Sequence, residues 1–264
     1  MSLRQTMPDS RSALVVAHPG HELRIYGWLE RERPEVFVLT DGSGHRGVSR
    51  VPSTAAVLRR AGARPGPIFG RFTDRELYRI LLDRETDVLA GLVLELAGAL
   101  AERGVSLVAG DALEGYNPSH DLCRVMTDAA VAVARRRTGR PIAVYDFPLE
   151  EGPGRCPEPV RTRALRLELR DGALARKLEA ARGYPEMAFE VERNLAVHGA
   201  AAFAVECLRP VEAEPDLEAL FAEPPSYERY GERQVEEGHY ERVLRFREHF
   251  LPVARALREL GRSA

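Results

Sequence analysis

Lysine is almost missing from this chain. Of 38 basic residues in 264, Lys177 is the single lysine. Arginine carries the positive charge instead. Its planar fork suits carboxylate or phosphate ligands, although composition alone names none. Neither charge sign is in excess: Asp and Glu number 40, and the net charge is −2. That balance argues against nucleic acid or an anionic membrane as the main partner. Cysteine is sparse as well. Cys123, Cys156 and Cys207 are far apart and no CxxC occurs, so the sequence suggests neither a disulfide framework nor a thiolate metal site. No apolar run reaches the roughly 20 residues of a membrane-spanning helix. The opening MSLRQTMPDS is polar and lacks the apolar region of a signal peptide. The expectation is a soluble, cytoplasmic protein. With 44% hydrophobic residues the chain can bury a substantial core.

Short β-rich runs alternate with longer helical patterns. ALVVAH (13–18), EVFVLT (35–40), PIFG (67–70), VSLVAGD (105–111) and IAVYDF (142–147) read as strands. They are continuous rather than alternating, as in strands buried on both faces. Helices are expected at 22–32, 53–62, in a broken stretch over 74–103, and at 121–138. In the last of these, Leu122, Val125, Met126, Ala129 and Val133 form an apolar stripe at 3.6 spacing. The pattern predicts an α/β fold: a Rossmann-like, mostly parallel sheet with helices on both faces and right-handed crossovers. Beyond 150, EEGPGRCPEP (150–159) reads as a loop. A strand at 163–169, helices at 173–182 and 186–197, and a strand at 201–208 follow it. After 223 comes an arm, then a helix from about 236 to 260. The expected division is a main domain over 1–210 and a C-terminal helical extension over 211–264, the latter a candidate for contacts between copies.

In open parallel sheets, ligands bind beyond the carboxyl ends of the strands, where strand order reverses. In the common order 3-2-1-4-5, strands 1 and 4 flank that point. Strand 1 ends in His18-Pro19-Gly20-His21-Glu22, and strand 4 runs into DALEGYNPSHDLC (111–123). Two histidine-bearing loops, about 100 residues apart, would therefore meet at one crevice. Three imidazoles with an open fourth position form a good catalytic zinc site. His18, His21 and His120 are the candidates; iron, nickel or copper would also suit them. The plainer reading of the same residues is a set of loop and helix-cap histidines bonded to backbone. No GxGxxG follows the first strand, which weighs against a nucleotide-cofactor enzyme.

At these residues the sequence resembles the LmbE-like (PIG-L) zinc-dependent N-deacetylases. VVAHPGHE is similar to that family's first motif, AHPDDE, and GYNPSHD to its second, HPDH. VLTDGSG (38–44) and SRVPSTAAVLRRAGA (49–63) fall where the family has a glycine loop and an arginine-bearing helix. The match covers about 13–150 and is weaker in LARKLEAARGYPEM (174–187). The resemblance implies that His18 and His120 are zinc ligands and that His21 stands where the third ligand is an aspartate. It implies that Arg50 binds substrate. Gly20 falls on the position of the general-base aspartate, and glycine cannot move a proton. Asn117 replaces a histidine but can still donate to an oxyanion, and Ser119 replaces an orienting aspartate. Glu22, Asp41, Asp111 and Glu114 are carboxylates at the same strand ends. Asp111 and Glu114 are the first choices to relay the proton, and Asp41 is a candidate substrate contact. Glu22 and Asp121 also read as helix N-terminal charges, Asp41 as a turn residue, and Asp111 as an acceptor behind a histidine.

His45, His198, His239 and His249 read as isolated surface or satisfied histidines. Tyr227, Tyr230, Tyr240 and Arg242 of the arm either pack it onto the domain or stack on a sugar. The function expected is a metal-dependent hydrolase that removes an N-acyl group from an amino sugar or glycoconjugate. The alternative is a deacetylase-like binding protein that has lost turnover with its base at Gly20.

Overall fold

The computed structural model describes residues 11–150, 154–170 and 172–263. The opening decapeptide and part of the 150–159 loop lie outside them. Seven strands form one sheet in the order β3-β2-β1-β4-β5-β7-β6. The five strands of the first half are β1 (Arg11–Val16), β2 (Glu35–Thr40), β3 (Arg64–Phe72), β4 (Val105–Asp111) and β5 (Ala143–Phe147). They are all parallel and occur in the 3-2-1-4-5 order expected from the sequence. β6 (Leu165–Glu168) and β7 (Val205–Pro210) extend the sheet as antiparallel strands beyond β5.

The central strands are buried on both faces, and β1 shows this residue by residue. Ala13 and Val15 point into one core, Leu14 and Val16 into the other. α4 (Thr86–Glu102), α5 (Pro118–Thr138) and α11 (Leu251–Ser263) cover the first face. α1 (Tyr26–Glu32), α2 (Val51–Ala61) and α7 (Gly172–Arg182) cover the second. Continuous apolar strands therefore mean what they usually mean: a sheet sandwiched between two helix layers.

α3 (Asp74–Leu82) starts with a full capping box, in which Thr73 and Glu76 satisfy each other's backbone N–H. The remaining helices are α6 (Glu158–Arg161), α8 (Ala188–His198), α9 (Leu217–Leu220) and α10 (Ser226–Glu236).

Three expectations change. The strand near 201–208 begins later, at Val205, because Ala200–Ala204 form a 3-10 turn. The helix expected over 236–260 starts late: α10 ends at Glu236, residues 237–245 are not helical, with Gly238 left-handed (φ 76°), and helix resumes with a π-helical turn at Phe246–Phe250 before α11. Phe246, Phe250, Val253, Ala254 and Leu257 of this segment belong to the core of the first face. The third change is in the cysteines. Cys156 and Cys207 form a disulfide across 51 residues, with Cα atoms 5.9 Å apart, whereas Cys123 is free and buried. That Cα separation is ordinary for a disulfide. Among the described residues no helix is long and apolar enough to cross a membrane.

Candidate functional site

β1 and β4 are hydrogen-bonded neighbours, so the turn after β1 and the loop after β4 meet at the carboxyl edge of the sheet. Asp111, the last residue of β4, fastens them together. Its Oδ2 accepts from the Ala17 N–H at 2.8 Å, and its Oδ1 lies 2.9 Å from His21 Nδ1. Asp111 is almost wholly buried.

The turn after β1 needs Gly20. Its φ of 105° is a conformation that side chains rarely adopt. Glu22 Oε2 accepts the Gly20 N–H at 2.8 Å, and Oε1 accepts from Thr54 Oγ1 at 2.7 Å. Thr54 in turn contacts the Tyr184 hydroxyl at 2.9 Å. Glu22 is fully buried, and desolvation pushes its pKa up to about 7 despite the hydrogen bonds from Thr54 and Gly20. This network fixes the direction in which His18 and His21 leave the turn.

On the other side, Asn117 caps α5: its Oδ1 accepts from Ser119 N at 2.8 Å, and Pro118 opens the first turn. His120 then sits one residue beyond Ser119 on the buried side of the helix, 7% exposed. Asp121, also buried, accepts the N–H groups of Glu114 and Gly115 and so shapes the loop.

The three histidines converge. Ring centroids are 5.3 Å apart for His18 and His21, 5.0 Å for His18 and His120, and 4.6 Å for His21 and His120, with planes inclined at 67–86°. Three imidazoles bound tetrahedrally to one ion, with metal–nitrogen distances of about 2.0–2.1 Å, would set their centroids roughly 5 Å apart. Each of the first two rings is backed by a carboxylate. His21 has Asp111. His18 Nδ1 lies 3.1 Å from Asp74 Oδ1 and 2.7 Å from Thr40 Oγ1. Carboxylate–histidine pairs of this kind fix the tautomer and present the other ring nitrogen to a metal. Asp74 also accepts from Gly44 N at 2.6 Å. Burial alone would raise its pKa, but the hydrogen bond and charge of His18, with Thr40 and Gly44, hold it below the ordinary carboxylate range. His120 is the reverse. Its pKa is pushed well down by burial and by the two neighbouring imidazoles, which keeps it neutral, and its buried Nδ1 has no hydrogen-bond partner.

Three converging imidazoles, carboxylates behind two of them and an orphaned ring nitrogen on the third suit a divalent cation. Among the described residues, however, no group of three or more His, Cys, Asp or Glu side chains is closed into a metal-binding set.

The other candidates take separate places. Asn117 Nδ2 is 3.5 Å from His18 Nε2, at the edge of the cluster. Glu114 is occupied elsewhere, accepting the N–H groups of Leu149 and Glu150 after β5. Asp41 closes a turn on Ser43 N. Arg50 stands at the start of α2, and its carbonyl accepts from the Tyr184 hydroxyl. His45, His198 and His239 are exposed. His249 is buried and accepts from Arg245 N. Sequence reasoning missed Asp74 and Met187. The signal for Asp74 was present: TDRE follows a third strand, β3, at the same edge of the sheet. Met187 lies against Gly20, where a Cβ would collide with its sulfur.

No protein-family model matches the sequence, and no curated protein matches it. Solved structures do. The zinc inhibited form of teicoplanin deacetylase Orf2 aligns at 16% identity and a TM-score of 0.51, over 78% of this chain and 100% of that one. The A40926 pseudoaglycone deacetylase Dbv21 aligns at 20% identity and 0.50, over 78% and 99%. The chain has the fold of the LmbE-like deacetylases. A conserved protein from Thermus thermophilus, TT1542, matches at 16% identity and 0.50, over 79% and 97%. At these identities the likeness is one of fold, and the resemblance read from VVAHPGHE and GYNPSHD holds at that level.

Proposed function

We propose that this protein is a metal-dependent hydrolase that removes an N-acyl, most simply N-acetyl, group from an amino sugar or glycoconjugate. The observation that carries the reading is the convergence of His18, His21 and His120, two of them backed by carboxylates, at the switch point of the sheet. It is supported by the similarity in fold to proteins described as deacetylases of teicoplanin and of A40926 pseudoaglycone. His18, His21 and His120 would hold a divalent ion, zinc first, and such an ion polarises a carbonyl and acidifies water.

The rest of the chemistry falls to the chain's own groups. Asp111 holds the proton on His21 Nδ1 and so fixes that ring's tautomer. With both oxygens engaged, by His21 Nδ1 and the Ala17 N–H, Asp111 orients His21 rather than relaying a proton. Glu114, with both oxygens on backbone N–H groups, serves the loop instead. Asn117 Nδ2, beside His18, is the donor for an oxyanion developing at the acyl carbon. Arg50 and Asp41, across the crevice on the loop after β2, are the groups available to the sugar. The cytoplasm is the location proposed alongside this reading.

A second reading is favoured by Gly20 and Met187. A thioether fills the space beside the position where a general-base aspartate would stand, and φ at Gly20 disfavours any side chain. On that reading the cluster binds a metal and a sugar without turnover. Acetate release from N-acetylated amino sugars, measured beside the zinc content of the purified protein, separates the two. The hydrolase reading expects about one zinc per chain and acetate production that both vanish in His120→Ala. Zinc without acetate supports the binder; absence of zinc and acetate removes both.

A further inference from the structure

Lys177, the single lysine of the chain, is buried behind the turn that carries His21, and the hydrolysis described above gives it no work. α7 brings it to that turn, and β7 brings Glu206, which is buried as well. Lys177 Nζ lies 2.8 Å from Glu206 Oε1 and donates to the Arg24 carbonyl at 2.7 Å. Arg24 belongs to the 3-10 turn His21–Ile25, one helical step on from His21. That turn runs straight into α1, whose first turn has no side-chain cap from its own N-cap residue, Ile25. Glu206 supplies one from β7: Oε1 accepts from Gly27 N and Oε2 from Trp28 N, both at 2.8 Å. The close approach depends on glycine at 27. A Cβ there would stand 2.3 Å from Leu169 Cδ2 and 3.2 Å from Glu206 Oε2.

A need for stability does not explain the pair. Taking two charges out of water costs about as much as their attraction gains, and an apolar pair of similar volume commonly serves a core as well. The elements that meet here otherwise give apolar side chains to the second core, Trp28, Ala180 and Leu208 among them. An apolar pair, however, cannot bond backbone. The ammonium holds one carbonyl and the carboxylate holds two N–H groups, all within residues 24–28. The choice of lysine fits the same task. Every other Lys or Arg position in the chain is arginine, whose flat fork matches the two oxygens of a carboxylate. Here one donor head meets a carboxylate oxygen and a carbonyl together, which suits a compact ammonium on a flexible stem. His21 is thus held twice: its ring by Asp111, and the far end of its turn by Lys177 and Glu206.

We propose that Lys177 and Glu206 are positioning residues for the histidine cluster, which fix the end of the 3-10 turn and with it the direction in which His21 presents Nε2. The proposal rests on the metal-site reading of the cluster. It makes α7 and β7, from the second half of the chain, part of what shapes a site whose histidines all come from the first half.

The test is made on the full-length protein with two readouts. One is the NMR signal of the His21 Nδ1–H proton in the metal-free protein, which reports its bond to Asp111. The other is zinc affinity, by competition with a chelator. Lys177→Met/Glu206→Gln removes both charges together, so neither is left buried alone. Leu96→Ala, a truncation in the core of the opposite face, controls for lost stability. The double variant should shift the His21 signal and weaken zinc about tenfold, the lower end for groups behind a metal ligand. Leu96→Ala should change neither, although it lowers the unfolding midpoint. Glu206→Gln alone leaves Lys177 on the Arg24 carbonyl; it should move both readouts the same way by less, and it stands in if the double variant does not fold. A native His21 signal in these variants, or unchanged zinc affinity where the native protein binds zinc, would overturn the proposal. So would a control that disturbs both readouts as much. If the native protein takes up no zinc but the His21 signal moves in the double variant and not in the control, the positioning role holds and the metal-site reading fails.

Discussion

The two flanks of the histidine cluster are built from the same turn and loop, yet they are finished differently. On one flank, His18 and His21 each place Nδ1 against a buried or half-buried carboxylate, Asp74 and Asp111, and Asp111 also ties β1 to β4. On the other, Gly20 presents no side chain at all and Met187 closes the space. The difference teaches that holding a cation and moving a proton are separable tasks in this fold. The first would be served by imidazoles with acceptors behind two of them. The second needs a group poised to change protonation, and on the proposed reading the chain carries the residues for the first without the side chain at Gly20 for the second.

Four changes would break or sharpen that contrast. The largest effect is expected from Asn117→Ala, which removes the oxyanion donor: kcat should fall by about 10²–10³. The helix cap is lost as well, at about 1 kcal/mol of stability. Steady-state kinetics beside a denaturation curve separates the two, and unchanged kcat would take Asn117 out of the mechanism. Next, Asp111→Asn should weaken zinc about 10–100-fold, with Asp74→Asn toward the lower end, as competition with a chromophoric chelator would show. Asp111 is the more buried and also ties the end of β4 to the turn after β1, so a larger effect at Asp74 would invert the account.

On the other flank, Gly20→Ala should cost about 1–3 kcal/mol, because the new Cβ meets Met187 and the backbone conformation disfavours it. Met187→Ala should recover only the steric part. Gly20→Asp in the Met187→Ala background is then the fair attempt to restore a base. Acetate release that appears only there would mark the native chain as a binder.

The last change concerns Glu22, whose folded pKa stands near 7 against an ordinary 4.5. A carboxyl with a raised pKa binds its proton more tightly in the folded state. Its effect on stability is therefore unfavourable as pH rises: the loss begins near 4.5, is complete above about 7, and reaches about 3 kcal/mol. Glu22→Gln should flatten stability between about pH 5 and 7.5 in urea titrations, since Thr54 can turn its hydroxyl toward Tyr184 and accept from the new amide. A native profile as flat as the variant's would show that Glu22 is paired more strongly than its surroundings indicate.

Much of the first half of the fold could be read from the sequence. Its central strands β1, β2 and β4 are apolar runs that need no partner to be recognised, and their order is the common one for parallel crossovers. The second half was harder. The strand near 201–208 opens with a run of alanines that suits a 3-10 turn as well as a strand. The helix expected over 236–260 begins only at Phe246, because nine residues after α10, Gly238 among them, leave helical conformation inside a pattern that reads as helical. The Cys156–Cys207 pair depends on β7 lying beside the loop after β5, which no spacing rule reveals. At the site, His18, His21 and His120 were legible because strand-end logic brings their loops together. Asp74 was not, because a charge at the start of a capped helix already has a sufficient local reason to be there. Met187 was invisible, since a methionine beside a short helix carries no signal of what it blocks.

The central claim is that imidazoles from the turn after β1 and from α5 grip one cation. Zinc K-edge absorption spectroscopy of the native protein tests it most directly. The account predicts a single site with three imidazole nitrogens at about 2.0–2.1 Å, lost in His120→Ala. A protein that holds no zinc, or a zinc shell of sulfur or carboxylate oxygen that persists in that variant, would contradict it.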